Sequence, residues 1–341
     1  DYCLRLWKAG HRVVYDPNAL VLHHEFGSSS SPKDAINLQK SHQGLFVERH
    51  SDQLKHHLVR SSKNIILARA RISNPKRILY IDDRVPHRIL GSGYPRSHAI
   101  LELLLERGYS ITLYPLAAVE EDWANIYSDI DKEIEVIPGH GAAGLESFME
   151  SRLGFYETIF ISRPHNMRVM NLVIRAHPDW FRRTVILYDA EALTTEREVQ
   201  RRQLRGEAMS ESEHKTMLHN EIELASFADS VISVSAPEKQ AFLNHGIERV
   251  FELGHVLRGE ATKKSFSQRS GILFVGAIHN EMSPNADAVS WFVEEIFPLV
   301  RSALDDVQLS IVGFNESEKI RNLEGDSVRI LGSVDDLSDL Y

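Results

Sequence analysis

Three short clusters carry residue types able to act on a polar ligand. Asp189-Ala190-Glu191 follows an apolar run, with Arg197 shortly after, and Arg163-Pro164-His165 follows another such run. A histidine there can serve as a base, and carboxylates can hold a ligand's hydroxyl groups or a proton. The plainer readings are helix capping by Asp189 and surface exposure of His165. Gly91-Ser92-Gly93 precedes a helical pattern that starts near Ser97, with Arg96 between them. Glycines let backbone approach a ligand closely, and a helix N-terminus favours an anion; a surface loop is the alternative. The third cluster runs from Gly276 through His279 to Asn285, and Gly313 closes the next apolar run in the same way. Asn285 reads equally well as an N-cap. His23-His24-Glu25 has residue types that suit a divalent ion, but adjacent strand residues face opposite ways, so only one histidine could meet a site.

These clusters need a scaffold that brings strand ends together. Residues 78–82, 111–114, 134–137, 158–162, 184–188, 231–234 and 250–253 read as short strands, apolar on both faces. That is the signature of a parallel sheet covered on both sides. Helical patterns at 97–107, 145–156, 167–176, 197–227 and 238–244 alternate with them. The alternation predicts an α/β, doubly wound, Rossmann-like parallel sheet. A second start follows, with strands at 272–275, 308–312 and 327–330 and helices at 287–304 and 317–322. Three strands fall short of a usual sheet, so this reads as an incomplete second Rossmann-like domain. Ligands of such sheets bind beyond the carboxyl ends of the strands, where all three clusters fall.

The segment 1–58 is a different unit, with a helix ended by Gly10, strands near 12–15 and 19–23, and a polar, His-rich helical stretch at 35–58. Residues 59–76 and 257–270 read as linkers, which separates 77–256 from 271–341. The chain begins at Asp1 and stops at Tyr341 just after a strand-like run, so it reads as cut at both ends.

Composition sets bounds. A net charge of -9 argues against a general nucleic-acid binder. One cysteine, Cys3, excludes an internal disulfide framework, and it is expected to be a small buried residue. His42, His50, His56 and His57 lack metal spacing, and most are expected to be solvated. No apolar run approaches the ~20 residues of a membrane span. The glycines at 91 and 93 lie too far beyond their strand for a dinucleotide fingerprint, which demotes a nicotinamide enzyme.

Asp1–Arg5 together with GHRVVYDPNALVLHHE resembles the carboxyl-terminal end of inverting, A-type family-two glycosyltransferases. The resemblance implies a remnant whose catalytic base and donor-binding Asp-x-Asp motif lie outside the chain. It puts the family's metal-binding histidine at His23 or His24, with Mn or Mg as the ion for the parent A-type domain. Residues from about Arg77 to Tyr341 resemble a B-type, family-four glycosyltransferase, through YIDDRVPHRILGSGYPR, ISRPHN, LYDAEALTTERE, Gly254-His255 and ILFVGAIHNEMSPNADAVSWF. Two departures stand out. Thr194 occupies the place of the family's usual His, and the stretch from His279 to Asn285 replaces its basic diphosphate contacts.

The B-type resemblance implies transfer of a sugar from a nucleotide-sugar donor to a glycan or lipid-linked acceptor, with retention and without a metal. A growing surface polysaccharide is the expected product, and the fragment is expected to be inactive alone. Asp189, Glu191 and His165 are the catalytic candidates. Gly91, Gly93, Arg96 and Arg197 form the acceptor or phosphate loop set, and Gly276, His279, Asn285 and Gly313 the donor set. The missing flanking domains are further partners, and the expected location is cytoplasmic, at or near the inner face of the membrane. A non-catalytic sugar-nucleotide-binding or scaffold module is the alternative.

Overall fold

The computed structural model describes the chain apart from residues 12, 14–18, 23–30, 56, 60, 62–63, 70–75, 92, 256–263, 305 and 335. The chain divides into two compact units, Asp1–Ser73 and Asn74–Tyr341. In the first, Ser31 caps the helix Pro32–Arg49 by accepting from the Asp34 amide at 3.2 Å, and proline occupies its first turn. The expected helix over 35–58 therefore starts earlier and breaks at His50, before the short helix Ser51–Leu54. One expectation of burial is corrected in this unit. Cys3 is exposed, because the short helix Tyr2–Lys8 buries only Leu4. His50 is buried, and its Nε2 lies 2.6 Å from the Asp1 carboxylate. The expected strand near 12–15 falls largely outside the described residues, whereas the one expected near 19–23 is not formed: residues 19–22 are exposed and without regular structure.

The second unit opens with β1 (Lys76–Asp82), β2 (Tyr109–Pro115), β3 (Glu135–Val136), β4 (Thr158–Ser162), β5 (Val185–Asp189), β6 (Ser230–Ser233) and β7 (Val250–Glu252). They form one parallel sheet in the order β3-β2-β1-β4-β5-β6-β7. Successive side chains on a strand point to opposite faces, and both faces are covered. Leu79 and Ile81 of β1 join Ile159, Ile161, Ile186 and Tyr188 in one core. Ile78 and Tyr80 join Ile111, Leu113 and Phe160 in the other. Tyr80 and Phe160 are register partners on β1 and β4, and their rings stack at 4.7 Å. The second parallel sheet has the order β10-β9-β8, from β8 (Ile272–Val275), β9 (Leu309–Val312) and β10 (Val328–Gly332), with its own core around Ile278, Leu309 and Ile311.

The strands lie close to the expected positions, whereas the helices differ more. The expected helix 97–107 begins at Tyr94, and that over 145–156 is Gly141–Ser151. The single helix expected over 197–227 is two helices, Thr194–Leu204 and Glu211–Glu223. Gly206 breaks it at φ 71°, and Glu221 of the second helix caps the first. The Glu221 carboxylate accepts from the Thr194 and Thr195 amides at 2.6 and 3.0 Å, and from both threonine hydroxyls at 2.7 Å. A buried carboxylate at a helix N-terminus satisfies amides that otherwise lack partners. Glu221→Ala is expected to lower the unfolding free energy by about 2–4 kcal/mol, because charge-assisted bonds are lost and amides are left bare. Glu221→Gln should cost less, and urea denaturation of the three proteins would check the order.

Candidate functional site

The carboxyl-terminal edge of the first sheet collects charged side chains from three neighbouring strands. β1 ends in Asp82-Asp83, β4 leads into Arg163 and His165, and β5 ends in Asp189 before Glu191. The helix Tyr94–Glu106 starts over this edge from Gly93, which is left-handed at φ 86°. Arg96, in its first turn, is buried and makes a two-pronged ion pair with buried Asp189, with Nη2 3.1 Å from Oδ1. The same Nη2 donates to the Leu253 carbonyl just after β7 at 2.9 Å. One guanidinium thus ties the first helix to β5 and β7. Asp189 is not a helix cap; it and Arg96 meet each other.

Arg163 is the centre of a second network. Its amide donates to the Asp189 carbonyl at 2.8 Å, and Nε donates to Asp82 Oδ1 at 3.0 Å. Nη1 lies 3.4 Å from Glu191 Oε2, and the guanidinium sits 4.2 Å above the Tyr94 ring. Arg163 and Glu191 both have positive φ, 78° and 57°, which is costly for residues with a Cβ. The Glu191 carboxylate occupies the space beside Gly93 where a side chain would start: an ideal Cβ there would lie 1.4 Å from Oε1. Glycine at 93 is therefore required twice, by φ and by this contact.

Asp82, Asp83 and Tyr94 belong to the same cluster and were not among the sequence candidates. Their signal was the Asp-Asp doublet at a strand end, inside the loop that carries Gly91 and Gly93. Tyr94 donates to Asp83 Oδ2 at 2.9 Å, and the half-exposed His165 lies 3.7 Å from the same oxygen. Burial pushes the Asp82 carboxyl well up, and its bond to Asp83 adds to this against the pull of Arg163. Burial also acts upward on Asp83, but bonds from His165 and Asp82 and the Arg163 charge outweigh it and hold that carboxyl low. The Asp82 carboxyl therefore holds a proton more tightly than the Asp83 carboxyl does. Glu191 is raised by burial, against Arg163. Carboxyl groups of differing proton affinity, a tyrosine and a histidine on one edge form an array suited to hydroxyl-rich ligands.

The corresponding edge of the second sheet is built on close backbone approach. Gly313 follows β9 with φ 130°, and a Cβ there would lie 2.3 Å from the Gly276 carbonyl oxygen. Ser283, not Asn285, caps the helix Pro284–Trp291, by accepting from the Ala286 amide. Asn285 instead donates to the Ala277 carbonyl at 2.9 Å and folds the loop over Gly276. His279 is exposed near the Phe314 ring, at 5.5 Å between centroids. A Cβ on Gly91 would lie 3.8 Å from that of Ala277, so the two glycine-bearing edges meet. Arg197 is exposed on the helix Thr194–Leu204. His24 lies outside the described residues. Among the described residues no group of three or more His, Cys, Asp or Glu is arranged to hold a metal ion.

Residues 269–341 match the family described as Glycosyl transferases group 1. That segment is the second sheet with its glycine-bearing edge. In fold the chain is similar to the crystal structure of TarM, with a TM-score of 0.59 and 8% identity over 78% of each chain. It shares with that structure the B-type glycosyltransferase architecture of two Rossmann-like parallel sheets. Weaker similarities include the lipopolysaccharide outer core galactosyltransferase WaaB (TM-score 0.48, 11% identity, 76% of this chain and 68% of that one). Anabaena HepE in complex with UDP is another (TM-score 0.46, 16% identity, 77% and 71%). No curated protein sequence matches the chain.

Two outcomes test this geometry. A carboxyl whose pKa rises on folding binds its proton more tightly in the folded state, so stability falls as pH climbs from its ordinary value toward the folded one. Asparagine is the uncharged isostere of protonated Asp82. The stability of Asp82→Asn relative to the wild type should therefore improve between about pH 4 and pH 7 in thermal melts. A shift the other way would mean that Asp82 is ionised. Gly313→Ala drives a Cβ into backbone and should cost roughly 2 kcal/mol or more, also read from melts.

Proposed function

We propose that the Asn74–Tyr341 unit belongs to a glycosyltransferase that moves a sugar from a nucleotide-sugar donor onto a glycan or lipid-linked acceptor. The observation that carries this reading is the family match of residues 269–341, because that segment holds Gly276, His279, Asn285 and Gly313. In this reading the donor diphosphate lies against the bare backbone at Gly276 and Gly313, near the start of the helix Pro284–Trp291. The acceptor lies along the first edge, where Asp83, Tyr94, His165 and Glu191 meet its hydroxyl groups. Arg96 and Asp189 act from behind, as positioning residues. The bond from the anomeric carbon to the diphosphate breaks with its electron pair, and an acceptor oxygen bonds that carbon. The acceptor proton leaves to the departing phosphate oxygen or to His165.

Retention of configuration, a surface polysaccharide as product and action beside the membrane are parts of the same proposal. Among the described residues no helix is long and apolar enough to cross a membrane. For the Asp1–Ser73 unit the proposal is an A-type remnant whose parent uses a divalent ion.

One observation favours a second reading, a binding module without chemistry. No Lys or Arg stands between Gly276 and Ala288 to neutralise a leaving diphosphate. Calorimetric titration with UDP- and GDP-sugars separates the two when product formation is assayed alongside. Binding by this chain is expected, with turnover by the parent that carries the flanking domains, and His279→Ala should weaken binding about tenfold, as the loss of one polar contact would. Binding without turnover by the parent as well would favour the module. No binding by a folded chain would sink both.

A further inference from the structure

Residues 276–288 of the second edge offer bare backbone to a diphosphate but no cation, so the charge that offsets it has to come from elsewhere in the fold. The loop that follows β9 is zipped to this segment. The Ile278 amide donates to the Phe314 carbonyl at 2.7 Å, and the Glu316 amide donates to the Ile278 carbonyl at 2.9 Å. Ile278 and Asn315 thereby pair as an isolated parallel bridge. Two caps then turn the chain into the short helix Glu318–Arg321: Asn315 Oδ1 accepts the Ser317 amide at 2.9 Å, and Ser317 Oγ accepts the Ile320 amide at 3.2 Å. Arg321 ends that turn, and its Nη1 donates back to the Asn315 carbonyl at 3.3 Å. The guanidinium therefore stands at the paired loops, just past Gly313. The charges around it have other contacts. Lys319 Nζ lies 3.6 Å from Glu294, and Glu281 Oε1 accepts the Lys319 amide at 3.4 Å. Arg321 is exposed, and among the described residues no carboxylate pairs with it.

We propose that Arg321 is a binding residue for the diphosphate of the donor, the cation that residues 276–288 lack. A guanidinium is planar and forked, so it can hold two phosphate oxygens at once while a further N–H stays on the Asn315 carbonyl. That carbonyl fixes the guanidinium from one side and leaves its remaining donors to the ligand. The glycine backbone at 276 and 313 admits the phosphates closely, and Arg321 offsets their charge. As the bond to the anomeric carbon breaks, negative charge grows on the departing phosphate oxygen, where a fixed guanidinium is most effective. This assignment rests on the transferase reading above, and it answers the one observation that favours a module without chemistry.

Calorimetric titration of the full chain with UDP, uridine and inorganic pyrophosphate tests the assignment. Arg321→Gln is the variant of choice, because glutamine keeps a donor for the Asn315 carbonyl and carries no charge. It should bind UDP and pyrophosphate about tenfold or more weakly than the wild type, as expected for loss of a charge-assisted hydrogen bond, with uridine unchanged. Arg321→Lys keeps the charge without the fork and should fall between the two. Wild-type affinity for UDP should also decline more steeply with salt than that of Arg321→Gln. A variant that binds UDP as tightly as the wild type would overturn the assignment and leave the transferase standing. Equal losses for UDP and uridine would do the same, by showing that Arg321 only supports the loop. Wild-type binding of pyrophosphate without UDP removes the transferase, and the variant titrated with pyrophosphate then decides on Arg321. Binding of neither by a folded chain removes both.

Discussion

A buried ion pair between Arg96 and Asp189 is the constraint on which the first sheet's edge depends. Removing both charges from water is costly, and the pair is tolerable only because its geometry is two-pronged and the Leu253 carbonyl takes a further N–H. The cost is matched by a structural return in one place: a helix start, the end of β5 and the end of β7 meet at one guanidinium. Asp189 can then offer its own carbonyl to the Arg163 amide, and Arg163 can spread over Asp82, Glu191 and the Tyr94 ring. The second network is therefore built on the first. A ligand at this edge would meet a surface whose shape was set below it.

The edge is rich in carboxyl groups but is not uniformly negative. Two arginines are internal to it, and burial raises the proton affinity of Asp82. Such a surface offers many hydrogen-bond acceptors and a few donors with little net field, which suits a neutral polyhydroxylated ligand better than a polyanion. The second edge has a different logic, with close-packed glycine backbone, one exposed histidine and a capped helix. Two edges of such different chemistry suit two different halves of a substrate pair.

Much of this was readable from residue order. The strands are apolar on both faces and short, so their centres fell where Ile, Val and Leu cluster, and their ends followed within a few residues. Helices were harder. The run from Arg197 to Phe227 has no proline, so nothing local announced that Glu221 would return to cap Thr194 and Thr195. That cap is a contact across 26 residues or more of sequence, which no window of periodicity contains. The same limit applies to the site. Asp189, Glu191, Arg163 and Arg96 could be proposed from strand ends and a glycine loop, but which acid would meet which base depends on strand order. With β4 and β5 inserted beside β1, Arg163 falls among Asp82, Asp83 and Glu191. Cys3 shows the converse, where a short helix gave composition little power to decide burial.

The backbone at Arg163 and Glu191 has a consequence for stability. Both positions sit at φ values that glycine adopts freely, so on conformational grounds alone glycine would be the more stable choice at each. A chain selected only for thermal robustness would drift toward glycine there. A chain selected for what its sheet edge recognises would keep the guanidinium and the carboxylate. The two torsion angles are thus a local cost in stability that accompanies a guanidinium and a carboxylate at this edge.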